Sequence, residues 1–235
     1  MIRRFFLLAI MLLTTTTARA AQPVDLLLVL AVDASGSVSM ERFDLQKRGY
    51  AEAFANPRVI QAIRAGSFQA IAVAMVQWTG PRMQTDVVPW TIVDSTEAAL
   101  ALSRRIDATP RTLFGGGTSI SGAIDHSVKL LASSGIEATR QVIDISGDGS
   151  SNNGRSVTAA RDEALALGIS INGLPILSLE PRLDDYYRDY VIGGPGAFVI
   201  AIDSYDKFAS AIIEKLITEI AGLEEKPGGT RLAAN

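Results

Sequence analysis

Three short segments, far apart in the chain, hold the side chains whose types and spacing could do chemistry. They are Asp33-Ala-Ser35-Gly-Ser37, Gly115-Gly-Gly-Thr118-Ser119 and Ser146-Gly-Asp148-Gly149. Between them Asp33, Ser35, Ser37, Thr118 and Asp148 offer two carboxylates and three hydroxyls, all oxygen donors. The chain has no Cys, and His126 is its single His. That inventory suits a hard cation such as Mg²⁺, which prefers oxygen ligands, with Mn²⁺ or Ca²⁺ as alternatives.

The elements around these segments must bring them together. Val24 to Val32 is a nearly unbroken apolar run, as expected of a strand buried on both faces of a parallel sheet. The chain leaves it at Asp33. In a still-extended segment Asp33, Ser35 and Ser37 would point the same way, with Gly36 letting the backbone bend. Gly115 to Gly117 permit a tight loop before a helix. Gln141 to Ile145 reads as another strand, and again an Asp lies beyond its C-terminal end. Simpler roles also fit each piece alone. Ser37 or Ser39 could cap a helix starting near Met40, Thr118 or Ser119 the next one, and Asp148-Gly149 could be a turn.

Taken together, the D-x-S-x-S pattern, a distant Thr after glycines and a later Asp-Gly after a strand resemble the metal-ion-dependent adhesion site of von Willebrand factor type A domains. The integrin inserted domain belongs to the same family. The resemblance covers about residues 24 to 220 and is closest in kind to exported bacterial members of unknown function. It implies a metal site of Asp33, Ser35, Ser37, Thr118 and Asp148. It also implies a protein partner whose Asp or Glu completes the coordination.

Other segments alternate between strand-like and helix-like patterns. Phe68–Trp78, Asp86–Val93, Ile169–Leu177 and Ala197–Ile202 read as strands. Pro89 demotes the second of these to a sheet edge. Helices are expected over Met40–Phe54, with Met40, Phe43, Tyr50 and Phe54 on one face, and over Ser95–Arg105. A third follows Thr118, with an Ile120, Ile124, Val128, Leu131 stripe. Two more are expected over Val157–Leu167 and about Tyr205–Ala221. The fold class is therefore α/β: a three-layer Rossmann-like domain. Its central sheet is mostly parallel with one antiparallel edge strand, and helices cover both faces. Ligands of such sheets gather beyond the strands' carboxyl ends, where strand order reverses.

Arg3-Arg4, the apolar run Phe5–Leu13 and Ala18-Arg-Ala20 read as a signal peptide over residues 1–20. A domain over 21–223 and a loose tail over 224–235 follow. Nine apolar residues are too few for a membrane span of about 20, so periplasmic or secreted location without stable membrane insertion is expected. Losing Arg3, Arg4 and Arg19 takes Lys plus Arg from 22 to 19 against 25 acids, a formal charge of −6. That balance disfavours nucleic acid as a partner.

Two function classes compete. One is an exported, non-catalytic module capturing an acidic group through a divalent cation. The other is a Mg²⁺-dependent, phosphatase-like hydrolase with Asp33 as nucleophile. That chemistry wants a second acid two residues on, where this chain has Ser35. No G-x-S-x-G and no G-x-x-x-x-G-K-[ST] pattern occurs, so neither catalytic nor organic-cofactor residues are assigned. His126 and the tryptophans Trp78 and Trp90 read as structural. Asp184–Tyr190 reads as a solvated helix. Ser150–Arg155 is the better candidate for a specificity loop.

Overall fold

The apolar run that leads to Asp33 is the central strand of the sheet. In the computed structural model, which describes residues 23–222, β1 (Val24–Asp33) is flanked by β2 (Ile71–Trp78) and β4 (Ala138–Gly147). β5 (Ile169–Pro175) and β3 (Gln84–Val93) close the two sides, giving the order β3-β2-β1-β4-β5. β1 pairs in parallel with β2 and β4, and β4 with β5; only β3 runs antiparallel. The expected leader over 1–20 and tail over 224–235 lie outside the described residues.

Alternation along β1 divides the core. Leu26, Leu28, Leu30 and Val32 pack on the face covered by α1 (Met40–Ala55), α2 (Pro57–Ala65), α3 (Thr96–Asp107) and α7 (Phe208–Ala221). Leu27, Val29 and Ala31 pack on the opposite face, under α4 (Ile120–Ala132), α5 (Val157–Ala166) and a short helical segment. That segment is α6 (Leu183–Tyr186) continued by a π-helical turn, Tyr187–Val191. From Leu26 to Val32 β1 carries only apolar side chains, and Asp33 is the first polar residue beyond that buried run.

The edge reading of β3 holds, and Pro89 sits in a register irregularity between the Thr91–Val73 and Val88–Met75 pairs. A proline there leaves no ladder donor missing. Ser39, Ser95 and Ser119 cap α1, α3 and α4, each accepting from a backbone N–H three residues on. Gly168, at φ 77°, follows α5.

Four expectations need correction. Met40, in the first turn of α1, is exposed, and Gln46 joins Phe43, Tyr50 and Phe54 on the buried face. α2 was not foreseen; Asn56 caps it and Pro57 opens it. Ala197–Ile202 is no continuous strand but runs beside β5 with isolated bridges at Gly173–Val199 and Ile176–Ile202. Gly173 N, Ile200 N, Ile202 N and Leu177 N all donate across that gap. The bond missing from the ladder is the one residue 175 would donate, and Pro175 has no N–H. Finally, Asp184–Tyr190 is not merely solvated: Tyr187 within it is fully buried, as are Leu183 and Val191 on either side.

Beneath α7, beside its apolar stripe of Phe208, Ile212, Leu216 and Ile220, lies a buried charge cluster. Lys215 Nζ is 2.7 Å from Asp144 Oδ1 on β4 and also pairs with Glu219. Asn172 Nδ2 donates to Glu219 at 3.1 Å, and Arg140 donates to the Glu219 and Ile220 carbonyls at 2.8 Å each. Burial, with a smaller push from Asp144, raises the Glu219 carboxyl to about 7.

Candidate functional site

β1 and β4 are neighbours on which the strand order reverses, so Asp33 and Asp148 leave the sheet side by side at its crest. Asp33 ends β1 and is fully buried. Ser35 N donates to its Oδ1 at 2.7 Å. The chain does not stay extended here. It turns, with Val38 N donating to Ser35 O, and the turn rather than strand alternation brings the three side chains together. Ser35 Oγ and Ser37 Oγ are 3.1 Å apart, and Ser37 Oγ donates to Asp148 Oδ1 at 2.5 Å.

Asp33, Ser35, Ser37 and Asp148 therefore form one polar cluster. Thr118 is not part of that hydrogen-bonded chain but arrives on the adjoining loop. Gly115, Gly116 and Gly117 all have positive φ, at 73°, 96° and 81°. A Cβ placed on Gly36 would lie 3.6 Å from Gly115 Cα, which is where the two loops meet. Asn152 Oδ1 accepts from Thr118 N at 2.9 Å, and Asn152 N donates back to Thr118 O. The Ser150–Arg155 loop thus holds Thr118 in place.

Several residues of the site carried no motif. Tyr205, just before α7, donates its hydroxyl to Asp148 Oδ2 at 2.9 Å. Arg42 of α1 reaches the same oxygen at 3.5 Å. Gln46 Nε2 donates to Asp33 O at 3.2 Å. Arg111 ties the Asp33–Ser37 turn together: its guanidinium donates to the carbonyls of Ala34, Ser35, Val38 and Leu113 at 2.6 to 3.0 Å. It lies between the rings of Phe43 and Phe114. Tyr187 places its hydroxyl against Gly147, where a Cβ would be 3.0 Å from both that hydroxyl and Asp33 Oδ2. Of these, only Arg42 broke a local rule visible in sequence, a cation in a helix's first turn.

Asp33 Oδ2 is buried without a hydrogen-bond partner. Burial is the main cause that raises the Asp33 carboxyl to about 7. The Ser35 hydrogen bonds oppose that rise, and the Asp148 charge adds to it. An orphaned carboxylate oxygen beside a second carboxylate and two hydroxyls is a donor set that fits a divalent cation. Among the described residues no three His, Cys, Asp or Glu side chains gather as a metal cluster, so hydroxyl oxygens would have to share the ligation. His126 lies elsewhere, 2.6 Å from Asp86. Trp78 is in the core, and Trp90 is partly buried at the edge.

No curated protein matches the chain. Its fold is similar to that of proximal thread matrix protein 1 from the mussel byssus, solved with a zinc-occupied MIDAS motif. Identity there is 15%, coverage 84% of this chain and 46% of that one, and the TM-score 0.59. A von Willebrand factor type A protein from Catenulispora acidiphila is similar at 15% identity, covering 84% and 42%, TM-score 0.56. The conserved hypothetical protein BatB from Bacteroides thetaiotaomicron is similar at 17% identity, covering 83% and 98%, TM-score 0.55. The chain spans just under half the length of the first two. At such identities the likeness shows the fold, which is the von Willebrand factor A type. A family model described as a protein of unknown function, DUF1194, matches residues 23–224, and the protein belongs to that family.

Proposed function

We propose that this is a metal-dependent binding module of the adhesion type, which captures an acidic group of a protein partner through a divalent cation, Mg²⁺ first among the candidates. The observation that carries the reading is the buried, unpartnered Oδ2 of Asp33 beside Asp148 and the Ser35 and Ser37 hydroxyls. Asp33, Ser35, Ser37, Thr118 and Asp148 would hold the ion. When bound, the ion supplies Lewis acidity toward one further anionic oxygen. Three of the five side chains are neutral, so they offset none of the ion's charge. Tyr205 and Ser37 fix the Asp148 carboxylate from two sides, which sets its orientation before any ligand arrives. The mussel byssus protein, whose MIDAS motif was solved with zinc, and the pilus adhesin SpaC from Lactobacillus rhamnosus GG, similar in fold at TM-score 0.55, support the analogy.

Export to the periplasm or beyond, a leader over residues 1–20, a domain over 21–223 and a tail over 224–235 belong to the same proposal. Among the described residues no helix is long and apolar enough to cross a membrane. The test is retention of proteins from a periplasmic extract on the immobilised chain, in Mg²⁺ and then in EDTA, with Thr118→Ala alongside. Capture that needs Mg²⁺ and weakens in Thr118→Ala at unchanged melting temperature supports the module. Asp33-dependent hydrolysis of an aryl phosphate would replace it with the hydrolase reading.

A further inference from the structure

The helix after the Asp33–Ser37 turn carries a cation at the wrong end. The N-terminus of α1 bears the positive end of the helix dipole, which disfavours a positive side chain in the first turn. Yet Arg42 is the third residue of α1. Its side chain turns back over the crest. The guanidinium carbon lies 5.4 Å from the centre of the Tyr205 ring, and Nη1 is 3.1 Å from Ser37 O and 3.5 Å from Asp148 Oδ2.

The contact with Asp148 is too long to be a strong hydrogen bond. Tyr205 and Ser37 already hold that carboxylate at 2.9 and 2.5 Å. Neutralising Asp148 is therefore not what fixes Arg42 in place. A guanidinium carries five N–H donors in one plane. Here a single nitrogen is engaged, one face rests on an aromatic ring, and the side chain remains 32% exposed. Arg111, the other cation at the crest, is different: all three of its nitrogens are committed to backbone carbonyls. Arg42 is thus a pre-oriented fork with an open edge beside the Asp33–Asp148 pair. Such an edge matches a planar oxyanion that can accept two parallel N–H bonds.

We infer that Arg42 is a second anchor for the group this site captures, and that the group is a carboxylate, held by the Arg42 fork in addition to the cation. The inference rests on the metal-dependent reading above and sharpens it. A neutral amide would meet the cation but not satisfy the guanidinium, so the site discriminates Asp or Glu from Asn or Gln.

The experiment uses Mn²⁺ as the metal, with acetate and acetamide as probes, and reads water-proton relaxation. Wild-type protein should bind Mn²⁺ with enhanced relaxation. Acetate should lower the enhancement by displacing bound water, and acetamide should not. Arg42→Gln should bind Mn²⁺ at least as tightly as wild type while its acetate half-saturation rises about fivefold or more. Arg42→Lys should recover only part of that loss, since an ammonium is a point charge without the fork. Acetate titrating Arg42→Gln like wild type, or leaving the wild-type signal unchanged, would overturn the inference and leave the metal site standing. Full recovery in Arg42→Lys would also overturn it, by showing that charge alone suffices. Wild-type protein that binds no Mn²⁺ would instead remove the metal reading itself, and this inference with it.

Discussion

Replacing Asp33 by Asn should stabilise the protein in EDTA and abolish its response to divalent cations. Asp33 is fully buried, its Oδ2 has no partner, and its carboxyl is pushed up from 3.8 to about 7, mainly by burial. At about 1.36 kcal/mol per tenfold change in acidity, keeping it ionised above pH 7 costs up to about 4 kcal/mol. Asn retains the acceptor for Ser35 N, 2.7 Å away in the wild type, but its amide brings N–H groups whose burial unpaired costs about 1–3 kcal/mol. A net gain of about 1–3 kcal/mol remains, or roughly 3–10 °C in melting temperature for a domain of this size. The sign with pH follows from a raised carboxyl. Below pH 3.8 both folded and unfolded chains hold the proton and the cost vanishes. Between 3.8 and about 7 the unfolded chain loses its proton first, so the wild type loses stability as pH rises. The gap between Asp33→Asn and wild type should therefore open over that interval and stay constant above it. A thousandfold excess of Mg²⁺ over Kd should reverse the order, because wild type alone then gains about 4.1 kcal/mol. Thermal melts in EDTA from pH 4 to 8.5 test this. An Asp33→Asn protein less stable than wild type at pH 8, or a gap that does not vary with pH, would show that burial of an unpartnered carboxylate at Asp33 carries no such cost.

Arg111→Lys should cost about 2–3 kcal/mol in urea unfolding, because one ammonium cannot reach the four carbonyls that the guanidinium holds. Gly147→Ala should cost about 1–3 kcal/mol in thermal melts, since the added methyl would meet Asp33 Oδ2 and the Tyr187 hydroxyl at 3.0 Å. Glu219, raised to about 7 among Asp144, Lys215, Asn172 and Arg140, should make the wild type lose stability as pH rises from about 4.5 to 7. Glu219→Gln should remove that part of the slope, as read from urea midpoints across the range, and an unchanged slope would contradict the assignment.

Much of the sheet could be read from sequence because burial on both faces forces long apolar runs, as in β1. Helix starts were legible where a Ser hydroxyl caps them. The Ala197–Ile202 error arose because an apolar run does not report a single missing donor, Pro175. α7 showed its apolar stripe but hid Lys215 and Glu219, since a paired charge and an exposed one look alike in sequence. At the site, Asp33, Ser35, Ser37 and Asp148 could be singled out by order and spacing. The residues that hold the site come from distant segments: Arg111 through the turn's carbonyls, Tyr205 through a single hydroxyl on Asp148, and Asn152 through its side-chain amide on Thr118. No short pattern encodes such contacts. The Asp184–Tyr190 segment was read by its charges, which face solvent, while Leu183, Tyr187 and Val191 turn inward.

If the five oxygen-bearing side chains at the crest hold one divalent cation, diffraction from crystals grown in Mn²⁺, recorded at the manganese edge, should show it. One anomalous peak is expected at ligand distance from Ser35 Oγ and Ser37 Oγ, with Asp33, Thr118 and Asp148 around it, and no peak in Asp33→Asn crystals. A crest without anomalous density at millimolar Mn²⁺, or a peak bound elsewhere on the chain, would contradict the five-ligand site.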